Sequence, residues 1–127
     1  MRVLIDTHAL LWYLQGDANL SNLALATIED KDNDVFVSIV SLWEIAIKSG
    51  LGKLELQRPF ENLEADLQRL DIKIMPIVFA DLDIYRSLPL HHRDPFDRIL
   101  IAQSICNDLT MITRDHLFEP YSIQVMW

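Results

Sequence analysis

Four carboxylates in this chain of 127 residues stand where chemistry is expected. Asp6 directly follows the apolar run Val3-Leu4-Ile5, and Asp115 follows Met111-Ile112-Thr113 with Arg114 between. Glu44 falls just after a second apolar run, Val35-Phe36-Val37-Ser38, and Asp97 just before a long one beginning Ile99-Leu100-Ile101-Ala102. Oxygen-only donors select a hard divalent cation, Mg²⁺ or Mn²⁺, over zinc, and no Cys/His spacing suits zinc here. Two unneutralised carboxylates about 4 Å apart repel by roughly 4 kcal/mol at an effective dielectric near 20. Helix N-termini relieve only about 0.3–1 kcal/mol each. A cation relieves far more.

The elements that must position these acids are legible in order. Arg2 to Ile5 reads as a short buried strand, and Thr7 to Leu14 as a helix stopped by Gly16-Asp17. Ser21 caps a second helix, about Asn22 to Glu29. Val35 to Ser38 is a second strand, compact and apolar like a central parallel one. Ser41-Leu42-Trp43-Glu44 fits a capping box, opening a helix that runs to Ser49. Pro59 starts a helix over about Phe60 to Leu70, Ile72 to Ile77 is a third strand, and Ala80 to Leu88 is helical. Asp94-Pro95-Phe96-Asp97 opens the late helix, which lasts to about Asn107. Asp94 is its N-cap and Pro95 takes the first helical position. Met111 to Thr113 is a fourth strand. After a turn at His116 to Glu119, Ile123 to Met126 forms an edge strand.

Strands alternating with helices predict a three-layer α/β/α fold in a single domain over residues 1–127, with a mostly parallel sheet of four to five strands. In such a sheet the carboxyl ends of strands and the N-termini of following helices share one edge, where ligands bind. Asp6, Glu44, Asp97 and Asp115 are therefore predicted to converge. Two of the acids have structural readings as well. Asp97 at the third helical position completes a capping box with aspartate in place of glutamate, and Glu44 either caps through Ser41 or reaches an ion through water.

Other residues are secondary candidates. Thr7 and Thr113 would orient water or phosphate, or be satisfied by backbone. Arg98 and Arg114, each beside a proposed ligand, are phosphate clamps or solvated surface. His8, His91 and His92 lack ligand spacing, and Trp12, Tyr13 and Trp43 read as core or interface. Cys106 reads as a small core residue. As the only cysteine it excludes an internal disulfide and fits a reducing cytoplasm.

Half the residues are hydrophobic, which excludes disorder, and no apolar run approaches a membrane span. The first residues are too short and too soon acidic for a signal peptide. The net charge of −8, from 19 acids against 11 bases, argues weakly against nucleic acid. A bound cation offsets charge locally, and Lys48, Lys53, Arg58, Arg93, Arg98 and Arg114 offer a rim. An acidic surface also suits a basic protein partner. The helix Ala9 to Leu14 is apolar almost all round, which predicts cover from a second chain and hence a homodimer.

Val3-Leu4-Ile5-Asp6-Thr7, Ser41-Leu42-Trp43-Glu44-Ile45, Asp94-Pro95-Phe96-Asp97-Arg98-Ile99-Leu100-Ile101-Ala102 and Thr113-Arg114-Asp115 together resemble the PIN-domain family. Their order is similar to that of VapC-type toxins of toxin–antitoxin pairs, in particular those with His-x-x-Asp-Pro-Phe-Asp-Arg. The resemblance spans nearly the whole chain. It implies a metal-dependent endoribonuclease using one or two Mg²⁺ or Mn²⁺ ions, with RNA as substrate, a small cognate antitoxin as partner, and products bearing a 5′-phosphate and a 3′-hydroxyl. Asp6, Glu44 and Asp97 match the family's three main metal-site acids. Asp115 matches the fourth, which is the least regular, and Asp94 matches none. Two rival readings are a Mg²⁺-dependent phosphatase with Asp6 as nucleophile, and a PIN-like binding module whose acids no longer act. Against the first, the residue two after Asp6 is His8 where a second acid is wanted.

Overall fold

The structure, a computed structural model, describes residues 1–91 and 94–127. The expectations for His92 and Arg93 lie outside the described residues. Five strands, β1 (Arg2–Ile5), β2 (Asp34–Ser38), β3 (Ile72–Met75), β4 (Thr110–Ile112) and β5 (Val125–Met126), form one sheet in the order β3-β2-β1-β4-β5. Every pairing is parallel. Among the described residues the α-helices are α1 (Thr7–Gln15), α2 (Asn22–Glu29), α3 (Ile39–Gly50), α4 (Leu63–Arg69), α5 (Phe79–Ser87) and α6 (Pro95–Asn107). The expected α/β/α fold with a parallel sheet is what the chain adopts.

The first strand is the middle of the sheet, which explains its composition. Ile5 pairs with Val37 on one side and Ile112 on the other, so β1 has no free edge and no solvent face. Val3 and Ile5 enter one core with Ala9, Leu10, Val37, Leu42, Ile45 and Leu67. Leu4, pointing the opposite way, enters a second core with Leu100, Ile101, Met111 and Phe118. These two cores are the two interfaces of the sandwich. From β1 the chain steps outward through β2 to β3, then returns to place β4 on the other flank of β1. That reversal opens a crevice at the carboxyl ends of β1 and β4.

The local differences from expectation have physical causes. Helix α3 begins at Ile39, capped by the Ser38 hydroxyl, which accepts from Val40 N at 3.1 Å. The β-branched pair Ile39-Val40 masks this start, since both favour strand, and Ser41 is not the cap. Glu44 consequently lies in the second turn of α3, not the first. The strand β3 ends at Met75, because Pro76 cannot extend the ladder. Leu11, Trp12, Tyr13 and Leu14 of α1 are half-buried against the first core, and Trp12 meets Trp127 edge-on at 5.8 Å. Cys106 is exposed rather than core, its thiol donating to Ala80 O of α5 at 3.4 Å. No helix among the described residues is long and apolar enough to cross a membrane.

Candidate active site

Asp6 closes β1 and caps α1. Its backbone N–H still bonds Ile112 O at 3.1 Å, and its Oδ1 accepts from Ala9 N at 2.8 Å. Its Oδ2 accepts from the Thr113 hydroxyl at 2.5 Å. The same hydroxyl oxygen accepts from Asp115 N at 3.1 Å, so one side chain ties the end of β1 to the turn after β4. Asp115 then caps the short 3-10 turn His116–Phe118, accepting from Leu117 N at 2.9 Å. Both strand-end acids are thus fixed by backbone and by one another's neighbours.

Two helices bring the other pair. Asp94 is the N-cap of α6, accepting from Phe96 N at 2.8 Å and Asp97 N at 3.4 Å, with Pro95 first in the helix. Asp94 is therefore the N-cap that the sequence led one to expect, and among the described residues no bond from Asp94 N to the Asp97 carboxylate completes a capping box. Glu44, buried on α3, accepts from Lys48 Nζ at 2.9 Å, an i,i+4 pair along the helix. Thr7 spends its hydroxyl on Ser41 Oγ at 2.9 Å, joining α1 to α3 beneath the site.

Electrostatics show that the four acids share one region. Burial first, then the charges of Asp94, Glu44, Asp115 and Asp6, push the Asp97 carboxyl up to about 7. Burial also raises the Asp6 carboxyl, and Asp115 adds to it. The hydrogen bonds from Thr113 and Ala9 N and the attraction of His8 work the other way. Raised carboxyls at Asp97 and Asp6, led by burial and added to by neighbouring acids, mark a partly desolvated place that holds like charges.

The donor chemistry fits a hard divalent cation, because every member is a carboxylate and the cluster is short of positive charge. Among the described residues no three His, Cys, Asp or Glu side chains form a ready metal cage. Glu44 is turned toward Lys48, 2.9 Å away. Asp6, Glu44, Asp97 and Asp115 are the residues that would hold the ion.

The expected rim of cations is largely dispersed. Arg98 is buried, and its guanidinium donates to Pro89 O at 2.9 Å, Leu88 O at 3.2 Å and Tyr85 O at 3.3 Å. It lies over the Tyr85 ring as well, 4.9 Å from the centroid. Arg98 is thus no phosphate clamp: it staples the end of α5 and the following turn onto α6. Arg58 pairs with Asp66 at 2.8 Å, on α4. Arg114 alone among the sequence candidates next to a ligand stands exposed at the site. A cleft of roughly 340 Å³ opens there, lined by Asp6, His8, Trp12, Arg114 and Asp115. Trp43 is 59% exposed, edge-on to Phe96 at 5.2 Å, so it is not core.

Sequence reasoning passed over the part of Asn19, whose Oδ1 accepts from Arg114 at 3.2 Å across 95 positions. No linear pattern announces such a contact. The Glu44–Lys48 pair, by contrast, was readable from its spacing.

A comparison with curated proteins finds no match. Among solved structures, the chain is similar to VapBC2 from Rickettsia felis bound to a DNA fragment from their promoter. The TM-score there is 0.74 at 17% identity, over 100% of this chain and 99% of that one. It is similar to FitAcB from Neisseria gonorrhoeae, with a TM-score of 0.67 at 19% identity over 100% and 97% of the two chains. A toxin–antitoxin complex from Klebsiella pneumoniae gives 0.63 at 15% identity over 98% and 96%. At these identities the likeness is one of fold. The family model for the PIN domain matches residues 3–122, and the chain belongs to that family.

Proposed function

We propose that this chain is a metal-dependent endoribonuclease of the VapC type, the toxin of a toxin–antitoxin pair. The observation that carries the reading is the Asp97 carboxyl, lifted to about 7 by burial first and then by the charges of Asp94, Glu44, Asp115 and Asp6. Four acids from four separate stretches, gathered at a cost in repulsion, are explained by a ligand that offsets the cost. Mg²⁺ or Mn²⁺, as one or two ions, supplies when bound the Lewis acidity that activates water and stabilises the leaving oxygen of a phosphodiester.

The chain's own residues prepare for that chemistry. The Thr113 hydroxyl and the Ala9 N–H hold the two oxygens of Asp6 in a fixed orientation. The Asp97 carboxyl holds a proton near neutrality and releases it when positive charge arrives. Arg98 fixes the turn before α6, and with it the helix mouth that presents Asp97. Arg114 offers a cation to the RNA backbone at the edge of the acids.

An antitoxin follows from the same reading. The Klebsiella pneumoniae neighbour is a toxin–antitoxin complex. The net charge of −8 and the acid-lined crevice suit a small partner that brings a basic segment to block the site. The experiment is cleavage of labelled RNA by the purified chain with Mn²⁺, with EDTA, and with Asp6→Asn in place of the parent. Cleavage that needs both the metal and Asp6, leaving a 5′-phosphate, supports the proposal. Cleavage unaffected by EDTA or by the substitution sinks it.

A further inference from the structure

The wall of the crevice formed by α1 and the turn after β4 has chemistry that the acids do not use. The Arg114 guanidinium lies over the Trp12 ring, 4.8 Å from its centroid, and donates to Asn19 Oδ1 at 3.2 Å. Asn19 is itself steadied by Asp17, whose Oδ1 accepts from both the Asn19 amide nitrogen at 2.9 Å and its backbone N–H at 2.8 Å. Beside Trp12 stands His8, exposed, with ring centroids 5.9 Å apart at 37°. A guanidinium has five N–H donors, and one goes to Asn19. The stack and the tether hold this cation at the cleft wall, next to the acids yet presented outward. The arrangement is a planar positive group laid against aromatic rings, in a cleft that includes Asp6 and Asp115.

We infer that this cleft receives one unpaired nucleotide of the substrate, its base against the His8–Trp12 surface and its backbone phosphate on the Arg114 guanidinium. The inference rests on the RNA-cleaving reading above and names the subsite that reading needs. Bases stack on aromatic rings and guanidinium planes when they are splayed from a single strand. A duplex keeps its bases paired and stacked inside, out of reach of a cleft this small, which lies at the bottom of the roughly 300–1,000 Å³ range of ligand pockets. The acidic balance of the chain sharpens the argument. RNA gains nothing from the overall field, so a phosphate beside four carboxylates needs a local cation, and Arg114 is positioned to be one. Stacking is tolerant of base identity, so this subsite orients the strand more than it selects a sequence.

The test is anisotropy of a short fluorescein-labelled oligouridylate bound to the full chain in Ca²⁺, titrated at several salt concentrations. Arg114→Ala weakens binding about ten-fold or more and lowers the slope of log Kd against log salt by about 0.7, the value for one phosphate contact on a single strand. Arg114→Lys keeps the slope while losing part of the affinity. His8→Ala weakens binding about five-fold or more, the low end for one stacked base, and His8→Phe restores it. Both positions are exposed, so thermal midpoints near that of the parent verify the fold. Parent protein that fails to bind, variants that bind like the parent, or equal affinity for a duplex overturns the inference. Cleavage assays on the same proteins separate it from the nuclease reading. Metal-dependent cleavage with KM unchanged in Arg114→Ala removes the subsite alone. Binding that depends on Arg114 without any cleavage removes the nuclease alone.

Discussion

Thr113 donates its hydroxyl proton to Asp6 Oδ2 at 2.5 Å, joining the ends of two adjacent parallel strands inside a buried site. The same oxygen takes the Asp115 N–H, so the hydroxyl is used as both donor and acceptor. Thr113→Val keeps the shape and leaves one acceptor and one donor without a partner. The expected loss is about 1–3 kcal/mol of stability in urea unfolding, with RNA cleavage reduced at least about ten-fold; Thr113→Ser retains both. A valine variant as stable and active as the parent would show that the link is dispensable.

Asp97→Asn separates capping from ion binding. Since Asp94 caps α6, the variant keeps the helix start and loses one charge from a crowded cluster. In EDTA at pH 8 it should be as stable as the parent or more so. With Mn²⁺ at about 100 times its dissociation constant the parent gains roughly 2.7 kcal/mol, and the variant much less. Equal metal responses in calorimetry would return Asp97 to a structural role.

The raised Asp97 carboxyl, about 7 against an ordinary 3.8, also fixes a pH dependence. Between about pH 4 and 7 the metal-free folded chain holds a proton there that the unfolded chain has lost. Stability in EDTA therefore falls as pH rises through that window, and Asp97→Asn removes this part of the slope. Metal competes with the same proton, so Mn²⁺ affinity should rise by up to about ten-fold per pH unit below 7. Isothermal titration at pH 6 and 8 reads it directly, and a flat affinity contradicts the assignment.

Arg98 is expected to behave as a structural residue. Arg98→Ala removes a donor shared by the carbonyls of Tyr85, Leu88 and Pro89, of which Tyr85 O keeps Leu88 N and Pro89 O keeps the Tyr121 hydroxyl, at a cost of about 1–3 kcal/mol. Lysine cannot reproduce three diverging bonds, so Arg98→Lys recovers little. Denaturation midpoints decide the matter. A variant of parental stability with a raised KM for RNA would reinstate the phosphate clamp.

In the cell, induced expression of the chain alone should arrest growth, and Asp6→Asn or Asp97→Asn should relieve the arrest while the protein accumulates folded. Arrest of equal strength from the asparagine variants would refute the catalytic assignment.

The elements were legible where one signal dominated. Ser21 and Asp94 are strong caps, and helices begin after both. Gly16 adopts φ 64° at the end of α1, the left-handed turn its sequence position implied. Signals misled where two physical demands met in one residue. Ile39 and Val40 prefer strand yet open α3, because Ser38 caps them and the first core receives the helix. Arg98 has the charge of a surface residue but is buried, since the carbonyls ending α5 need donors that no apolar side chain supplies. Convergence of the acids was expected because a parallel sheet delivers strand ends and helix mouths to one edge; Asp97 feels the charges of Asp6, Glu44 and Asp115, though among the described residues no three acids form a ready metal cage. The Arg114–Trp12–Asn19 cluster was not, because it joins a helix face, a turn and a strand end that only the folded sheet brings together.

The place of β1 at the middle of the sheet has a consequence for the order in which the protein becomes active. Asp6 leaves the ribosome before Thr113, its hydrogen-bond partner, which comes 107 positions later. Until β4 has emerged, β1 lacks one neighbour, Asp6 lacks its donor, and α6 has no completed sheet to pack on. A chain interrupted during synthesis therefore contains most of the acids but no assembled site. Long-range pairing of this kind is also slow relative to local structure. The interval between synthesis and activity is a period in which a partner made alongside can reach the chain before it can act.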